Sequence, residues 1–409
     1  MKGKHVYIEK GGCIRRQLDL ETIQTYLQAN GYELVDHPRK AGCILVSTCA
    51  FKKKEEDRSY QRLRTLQAYP ARILALGCLP DIAPERFESL GNIGKIAPKE
   101  LRAIDDFFVH DKLSFTDIAD SPVLTGNEGG LVSSLKKSAY NSWNIRNSLA
   151  TDDLAMAWER LKQRLKNADK KYHLFVCRGC QGLCSYCAVR RAIGPIRSKP
   201  IAQVVEQLRE GYQKGFRHFP ILGDDPGCYG LDIGTDFPSL LGQLLTEASR
   251  LGIRHGQSPV FHIHDIHPKF VIRYQDELAR LSAARACQSI LLPLQSGSDR
   301  ILQLMEREHT VSDLVAAVQA MRKARPDLEL TTQIIVGFPS ETEEDFRASL
   351  RAVHNAQYST VVVFPYHDKT GTKAAELLPK TPEKIIRQRK KAAFQFFRDH
   401  GIKAYPNCP

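Results

Sequence analysis

The feature that most constrains this chain is a repeated alternation of short apolar strands with helical patterns, the strands opening into polar, glycine- or cysteine-bearing loops. Within residues 1–100 the pattern predicts strands at His5–Glu9, Cys43–Ser47 and Arg72–Leu76. An amphipathic helix is expected at Asp19–Asn30, closed by Gly31, and a charged helix at Lys53–Gln67. From residue 171 the alternation resumes, with strands at His173–Val176, His218–Leu222, Val260–His264, Ser289–Pro293, Thr331–Val336 and Thr360–Phe364. Helical patterns such as Ile201–Lys214 and Ser312–Lys323 lie between them. Alternation of this kind builds parallel sheets. The fold class is therefore α/β: a flavodoxin-like parallel-sheet domain, then six or so βα units that form a partial (βα)6 or a full parallel barrel, whose chemistry sits at the strands' C-terminal ends.

Four segments follow from this reading: 1–100, an irregular linker or insert at 101–170, the barrel at 171–380, and a C-terminal helix at 381–409. In the second, Thr125–Ser134 reads as a loop and Asp152–Lys170 as a charged helix. In the last, Thr381 is expected to cap the helix, Pro382 to take its first position and Gly401 to end it.

With 42% hydrophobic and 26% charged residues the chain is neither disordered nor fibrous. No apolar stretch reaches bilayer length and the start lacks a signal-like core, so a soluble, cytoplasmic protein is expected. Lys and Arg number 59 against 46 acidic residues, for a net charge of +13, which suits RNA as a partner or simply a basic surface. Eleven cysteines in a reducing compartment point to metal or catalysis rather than disulfides.

Cys180, Cys184 and Cys187 stand as Cx3Cx2C just after the first barrel strand. Three thiolates on one loop can hold a four-iron–four-sulfur cluster and leave its fourth iron open to a cofactor. Cys177 extends the run to CxxCx3CxxC, which equally describes a closed zinc or iron–sulfur site. Cys177 is better read as the end of the strand, pointing away from the open site. Cys13, Cys49 and Cys78 each follow a predicted strand, and strand ends of a parallel sheet gather along one edge. Three thiolates distant in sequence thus meet; the bland alternative is three buried free cysteines. Cys43, Cys228, Cys287 and Cys408 have no such support.

These residues carry a resemblance to the radical SAM superfamily, and within it to the methylthiotransferases. Gly179–Cys187 matches the cluster loop, and Arg197-Ser198-Lys199-Pro200 the segment after it. Leu294-Gln295-Ser296-Gly297-Ser298-Asp299 with ILQLMEREHT, Ile334–Pro339 with SETEEDF, and Gly371-Thr372 with Ala374-Ala375 match further motifs. The resemblance implies two 4Fe-4S clusters, on Cys180/Cys184/Cys187 and on Cys13/Cys49/Cys78. It implies one S-adenosylmethionine cleaved to a 5′-deoxyadenosyl radical and a second supplying the methyl of a methylthio group. An electron donor of flavodoxin or ferredoxin type goes with this chemistry. Tyr186 would meet the adenine, with Val336, Gly337 and Phe338 bordering it. Ser296 and Gly297 would approach the ribose. Gly223, Asp224 and Asp225 suit the amino group of the methionine moiety, although Asp224 and Asp225 fit helix capping as well. His262, His264 and His267 read as a polar barrel lining in preference to a third metal site. The family's arginine near this point has no evident counterpart. No residue is assigned as catalytic.

Two departures bear on the substrate. Ile14 and Arg16 replace the family's Gln and Asn after the first cysteine, and the chain stops soon after Gly401, where family members continue into a β domain called TRAM. Ile196–Pro200 and Tyr229–Asp232 resemble the branch that modifies an aspartate of a ribosomal protein. A protein or peptide side chain, or a smaller molecule, is therefore the leading substrate expectation, with a transfer RNA adenosine second. Two other readings are a non-catalytic iron–sulfur or zinc RNA-binding protein and a radical enzyme that forms a carbon–sulfur bond without the methyl.

Overall fold

A computed structural model describes residues 4–124 and 170–406. The expected loop at 125–134 and all but the last residue of the expected helix at 152–170 lie outside the described residues, as does Cys408.

The first sheet has five parallel strands: β1 (His5–Glu9), β2 (Glu33–Val35), β3 (Cys43–Thr48), β4 (Arg72–Gly77) and β5 (Gly94–Ile96), in the order β2-β1-β3-β4-β5. That is the flavodoxin-like order, in which the chain reverses direction across the sheet between β1 and β3. The three-residue edge strands β2 and β5 are additional to the sequence expectation. Each is too short to show a period of two, and each is created by pairing with its neighbour.

The helix α1 spans Ile14–Ala29, five residues earlier than its predicted start, with Cys13 at its N-cap. It is not amphipathic as expected. Arg16, Asp19, Glu21 and Thr22 are buried along with Leu18, Leu20 and Ile23, because α1 lies between its own sheet and the second domain. The charged helix α2 (Lys53–Leu66) agrees with expectation. Residues just beyond 100 are not a free linker. Leu101, Ile104, Phe108 and Phe115 pack on the first sheet beside Tyr26 and Tyr32.

The second sheet contains β6 (Leu174–Arg178), β7 (Arg197–Ser198), β8 (His218–Gly223), β9 (Val260–Ile263), β10 (Cys287–Leu291), β11 (Glu329–Val336), β12 (Thr360–Pro365) and β13 (Lys403–Tyr405). The order is β13-β12-β11-β10-β9-β8-β6-β7, with only β7 antiparallel to its neighbour. Its six central strands are the predicted barrel strands, each within a few residues of its expected bounds. The tail differs. Its helix runs Glu383–Asp399, Pro382 rather than Thr381 occupies the N-cap position, and Thr381 Oγ1 donates to Phe338 O at 2.9 Å. After Gly401 the chain adds β13 to the sheet edge, anchored by buried Ile402.

The C-terminal edges of the two sheets face each other. Ile14 and Leu18 pack on Phe175 and Leu222, Phe51 meets Phe364 edge to face, and Ala188 and Ala192 join Leu79 and Ile82. Ion pairs lock the seam: Arg178 to Asp19 at 2.6 Å and Lys369 to Glu56 at 2.8 Å. Ile14 is thus a packing residue of this seam, which accounts for an apolar side chain there.

Candidate functional site

In the first domain, Cys13 follows β1, Cys49 follows β3 and Cys78 follows β4, on three adjacent strands. The crevice between β1 and β3 is where sheets of this order bind ligands. Gly77 has φ +112°, and a Cβ there would lie 2.4 Å from Thr48 O, so only glycine lets β4 turn toward β3 before Cys78. Cys78 N then donates to Thr48 O at 3.2 Å. Ser47 Oγ donates to Gly11 O at 2.8 Å, joining the loops of Cys13 and Cys49. Ser59 clamps Cys49, accepting from its N and donating to its O, both at 2.9 Å. Burial pushes the Cys49 thiol up to about 11 and that of Cys78 higher still, while Arg16 opposes the shift at Cys78. Cys13 is exposed, at the positive end of α1.

In the second domain the loop after β6 carries Cys180, Cys184 and Cys187. Gly179, φ +83°, sits so close to Pro195 O that a Cβ would lie 2.0 Å from it. Donors converge on the sulfurs: Gly182 N on Cys180 Sγ at 3.1 Å, Arg307 Nη1 on Cys184 Sγ at 3.7 Å, with His267 Nε2 at 3.6 Å from the same sulfur. Because His267 Nδ1 accepts from Lys269 N at 3.3 Å, the ring proton belongs on Nε2, aimed at Cys184. Thiols in a packed core have no need of such donors; thiolates bound to an iron–sulfur cluster do. Among the described residues no three Cys, His, Asp or Glu side chains converge as closely as a single ion requires. Cys177 lies in β6, buried, with its Sγ 3.6 Å from Asp225 O. Cys43, Cys228 and Cys287 are also buried.

The other predicted residues divide. Tyr186 and Phe338 share one apolar cluster with Met305, Ile335, Phe364 and Tyr366, and Tyr186 Oη accepts from Arg307 Nη1 at 3.1 Å. Val336 instead packs into the main barrel core. Gly337 N donates to Glu341 Oε2 at 2.6 Å, and Glu341 pairs with Arg389 at 2.7 Å. Ser296 and Gly297 are turned into the helix Glu343–Asn355: Ser296 is fully buried, and Gly297 N donates to Ser349 Oγ at 2.8 Å. Both thereby help to dock that helix. The residue of that motif left with a buried, unpaired oxygen is Gln295, at φ +68°. Asp225 caps a short turn, accepting from Gly227 N at 3.1 Å and His267 N at 3.2 Å, and burial raises its carboxyl to about 6. The capping alternative thus describes Asp225. Asp224 Oδ2 accepts from Gly179 N at 2.8 Å, directly beside Cys180.

His262 lies in β9 and His264 directly follows it. His262 bonds His218 at 3.2 Å and Ser289 at 2.9 Å on the flanking strands, a polar layer of the barrel. His267 stands apart from them at Cys184.

Three arginines went unassigned in the sequence. Arg307 is buried, bonding Cys184, Tyr186 and Pro293 O at 2.8 Å. It lies in the quoted ILQLMEREHT match, which was its available signal. Arg15 reaches from α1 into the barrel mouth, with Nε on Gly223 O at 2.7 Å and Nη2 on Asp265 at 2.5 Å. Arg16 Nη2 is 3.8 Å from Asp224. No spacing rule could announce either partnership, since Arg15 and Gly223 lie in different domains.

Comparison with known proteins agrees with this geometry. Residues 174–353 match the radical SAM superfamily and residues 5–95 match the uncharacterized protein family UPF0004. The chain is 28% identical over 388 residues to the probable threonylcarbamoyladenosine tRNA methylthiotransferase of Pyrococcus horikoshii, covering 94% of this chain and 81% of that one. It is 24% identical to the threonylcarbamoyladenosine tRNA methylthiotransferase of Danio rerio, covering 98% and 67%. It is 29% identical to the tRNA-2-methylthio-N(6)-dimethylallyladenosine synthase of Thermotoga petrophila, covering 90% and 75%. In fold it is similar to the radical S-adenosylmethionine methyltransferase TsrM of Kitasatospora setae, at TM-score 0.59 and 14% identity over 91% of this chain and 77% of that one. The chain belongs to the radical SAM methylthiotransferase family. It is an enzyme of that class, and its cofactors are S-adenosylmethionine and two 4Fe-4S clusters. Cys13, Cys49 and Cys78 lie within electrostatic reach of one another, as do Cys180, Cys184 and Cys187, which is the grouping a cluster held by three thiolates needs. Among the described residues no helix is long and apolar enough to cross a membrane.

Proposed function

We propose that this enzyme places a methylthio group on an adenosine of transfer RNA. What carries the reading is the likeness to tRNA methylthiotransferases over 94% of the chain. It moves transfer RNA ahead of the protein or peptide substrate that residues 196–200 and 229–232 suggested. The net charge of +13 is in keeping with a polyanion.

Cys180, Cys184 and Cys187 hold one cluster in this reading, and Cys13, Cys49 and Cys78 the other. Together the bound cofactors supply a radical able to break an unactivated C–H bond and the sulfur that replaces the hydrogen. The chain's own residues bring the two centres to one seam. Arg15 bonds Gly223 O and Asp265 across the seam. Arg307 and His267 donate toward Cys184, and Tyr186 with Phe338 forms the apolar wall. Asp224 orients the Cys180 loop through Gly179 N. The electron comes from a flavodoxin- or ferredoxin-type donor.

The test is anaerobic incubation of the reconstituted enzyme with S-adenosylmethionine, reductant and unmodified bulk tRNA, followed by nucleoside mass spectrometry. A gain of about 46 Da on an adenosine is expected. A peptide digest carrying that mass while tRNA stays unmodified would return the substrate to the protein reading.

A further inference from the structure

Arg16 is a buried cation with donors to spare. It is 4% exposed, and among the described residues its Nη1 and Nη2 are buried without a hydrogen-bond partner. Its Nε lies 3.1 Å from Asp19 Oδ2, while Asp19 Oδ1 is taken by Arg178 at 2.6 Å. Burying charged donors without acceptors is unfavourable, so an acceptor belongs beside them.

The surroundings say which. Arg16 follows Cys13 by three positions at the start of α1, so the two share a helix face. A Cβ on Gly12 would lie 3.3 Å from both Arg16 Cβ and Ser47 Oγ, so the arginine stem runs directly against the Cys13 loop. Cys78 and Cys13 are both within electrostatic reach of the guanidinium. On its other side Nη2 is 3.8 Å from Asp224 Oδ1, and Asp224 Oδ2 holds Gly179 N, next to Cys180. A cavity of about 10 Å³ lined in part by Arg16, Asp19, Ser47 and Gly77 adjoins this point, which has room for one water and no more.

We infer that Arg16 is a positioning residue of the N-terminal cluster: Nη1 and Nη2 donate to the cluster's sulfur, raise its reduction potential, and tie it through Asp224 to the loop of Cys180. The inference rests on Cys13, Cys49 and Cys78 being the ligands. Donors to sulfur and a nearby positive charge both favour the reduced, more negative cluster.

The test is a dithionite titration, read by EPR, of the reconstituted full chain with Cys180, Cys184 and Cys187 replaced by alanine, leaving the N-terminal cluster alone. Arg16→Gln should shift the redox equilibrium at least tenfold toward the oxidised form, about 59 mV for one electron, at unchanged iron content. Arg16→Lys, keeping the charge, should move less than half as far. An Arg16→Gln equilibrium within twofold of the parent at full iron would overturn the inference and leave Arg16 to an ordered water. If Arg16→Gln loses iron, iron restored by Arg16→Lys supports it; iron lost in both variants with unchanged circular dichroism overturns it, because packing alone would then be at stake. Failure of the ligand assignment shows separately, as absence of iron in the triple variant that still has Arg16.

Discussion

The two cysteine sets solve one problem in different ways. Cys180, Cys184 and Cys187 sit within eight residues on one loop, so the chain needs little more than a strand end and Gly179 to bring them together. Cys13, Cys49 and Cys78 are spread over 66 residues and meet only because β1, β3 and β4 are neighbours in a parallel sheet. A local site depends on its own backbone; a distributed site depends on the whole domain being folded and in register. The donors differ as well. The barrel sulfurs receive a backbone N–H, a histidine and an arginine from the barrel itself, whereas Arg16, at the first set, also reaches Asp224 of the other domain.

The largest effect should come from removing either set. Alanine at Cys180, Cys184 and Cys187 is expected to abolish 5′-deoxyadenosine formation and leave about four of eight irons. Alanine at Cys13, Cys49 and Cys78 should also leave about four, yet 5′-deoxyadenosine should persist without methylthio product. Equal loss of 5′-deoxyadenosine in both variants, measured by liquid chromatography, would erase the distinction between the two centres.

Next in size is Gly77→Ala. A Cβ would sit 2.4 Å from a backbone oxygen at φ +112°, a strain of roughly 1–3 kcal/mol before any clash is counted. Iron should fall toward half, with the EPR signal of the S-adenosylmethionine-bound barrel cluster retained. A full iron count would show that the distributed site is less dependent on its sheet than its geometry implies.

Arg307→Gln should be milder. It removes a charged donor from Cys184 and Tyr186, for a loss of about 2 kcal/mol, or roughly 30-fold in 5′-deoxyadenosine formation. No change in that rate would make Arg307 a packing residue only.

The smallest expected effect is a pH response away from both clusters. Burial lowers His262 from 6.5 to about 4, so between those values the unfolded chain binds more protons than the folded one. Stability conferred by neutral His262 is then complete above 6.5 and declines as the pH falls toward 4. Urea midpoints should drop over that window, and His262→Gln should flatten the drop. An unchanged slope in the variant would assign the response to other groups.

Much of this architecture was legible in the chain, and the exceptions share a cause. Nine strands announced themselves by apolar runs, but β2, β5 and β13, three residues each, and β7, two residues, exist only through their partners. The early start of α1 left no apolar stripe to read, because α1 is wedged into a domain seam and buries Arg16 and Asp19 as well as its leucines. The docking of Gly297 onto Ser349 was not legible either, because the two lie 52 residues apart.

By itself the sequence determined the long strands, most of the helices and the Cx3Cx2C loop, because strand periodicity, glycines at strand ends and cysteine spacing are local properties of the backbone. Only the tertiary structure decided that β1 and β3 flank a switch point and that Arg15 and Arg16 face the barrel's Asp265 and Asp224. Those relations depend on how two sheet edges dock, and docking is set by side chains hundreds of residues apart, whose contacts leave no period in the chain.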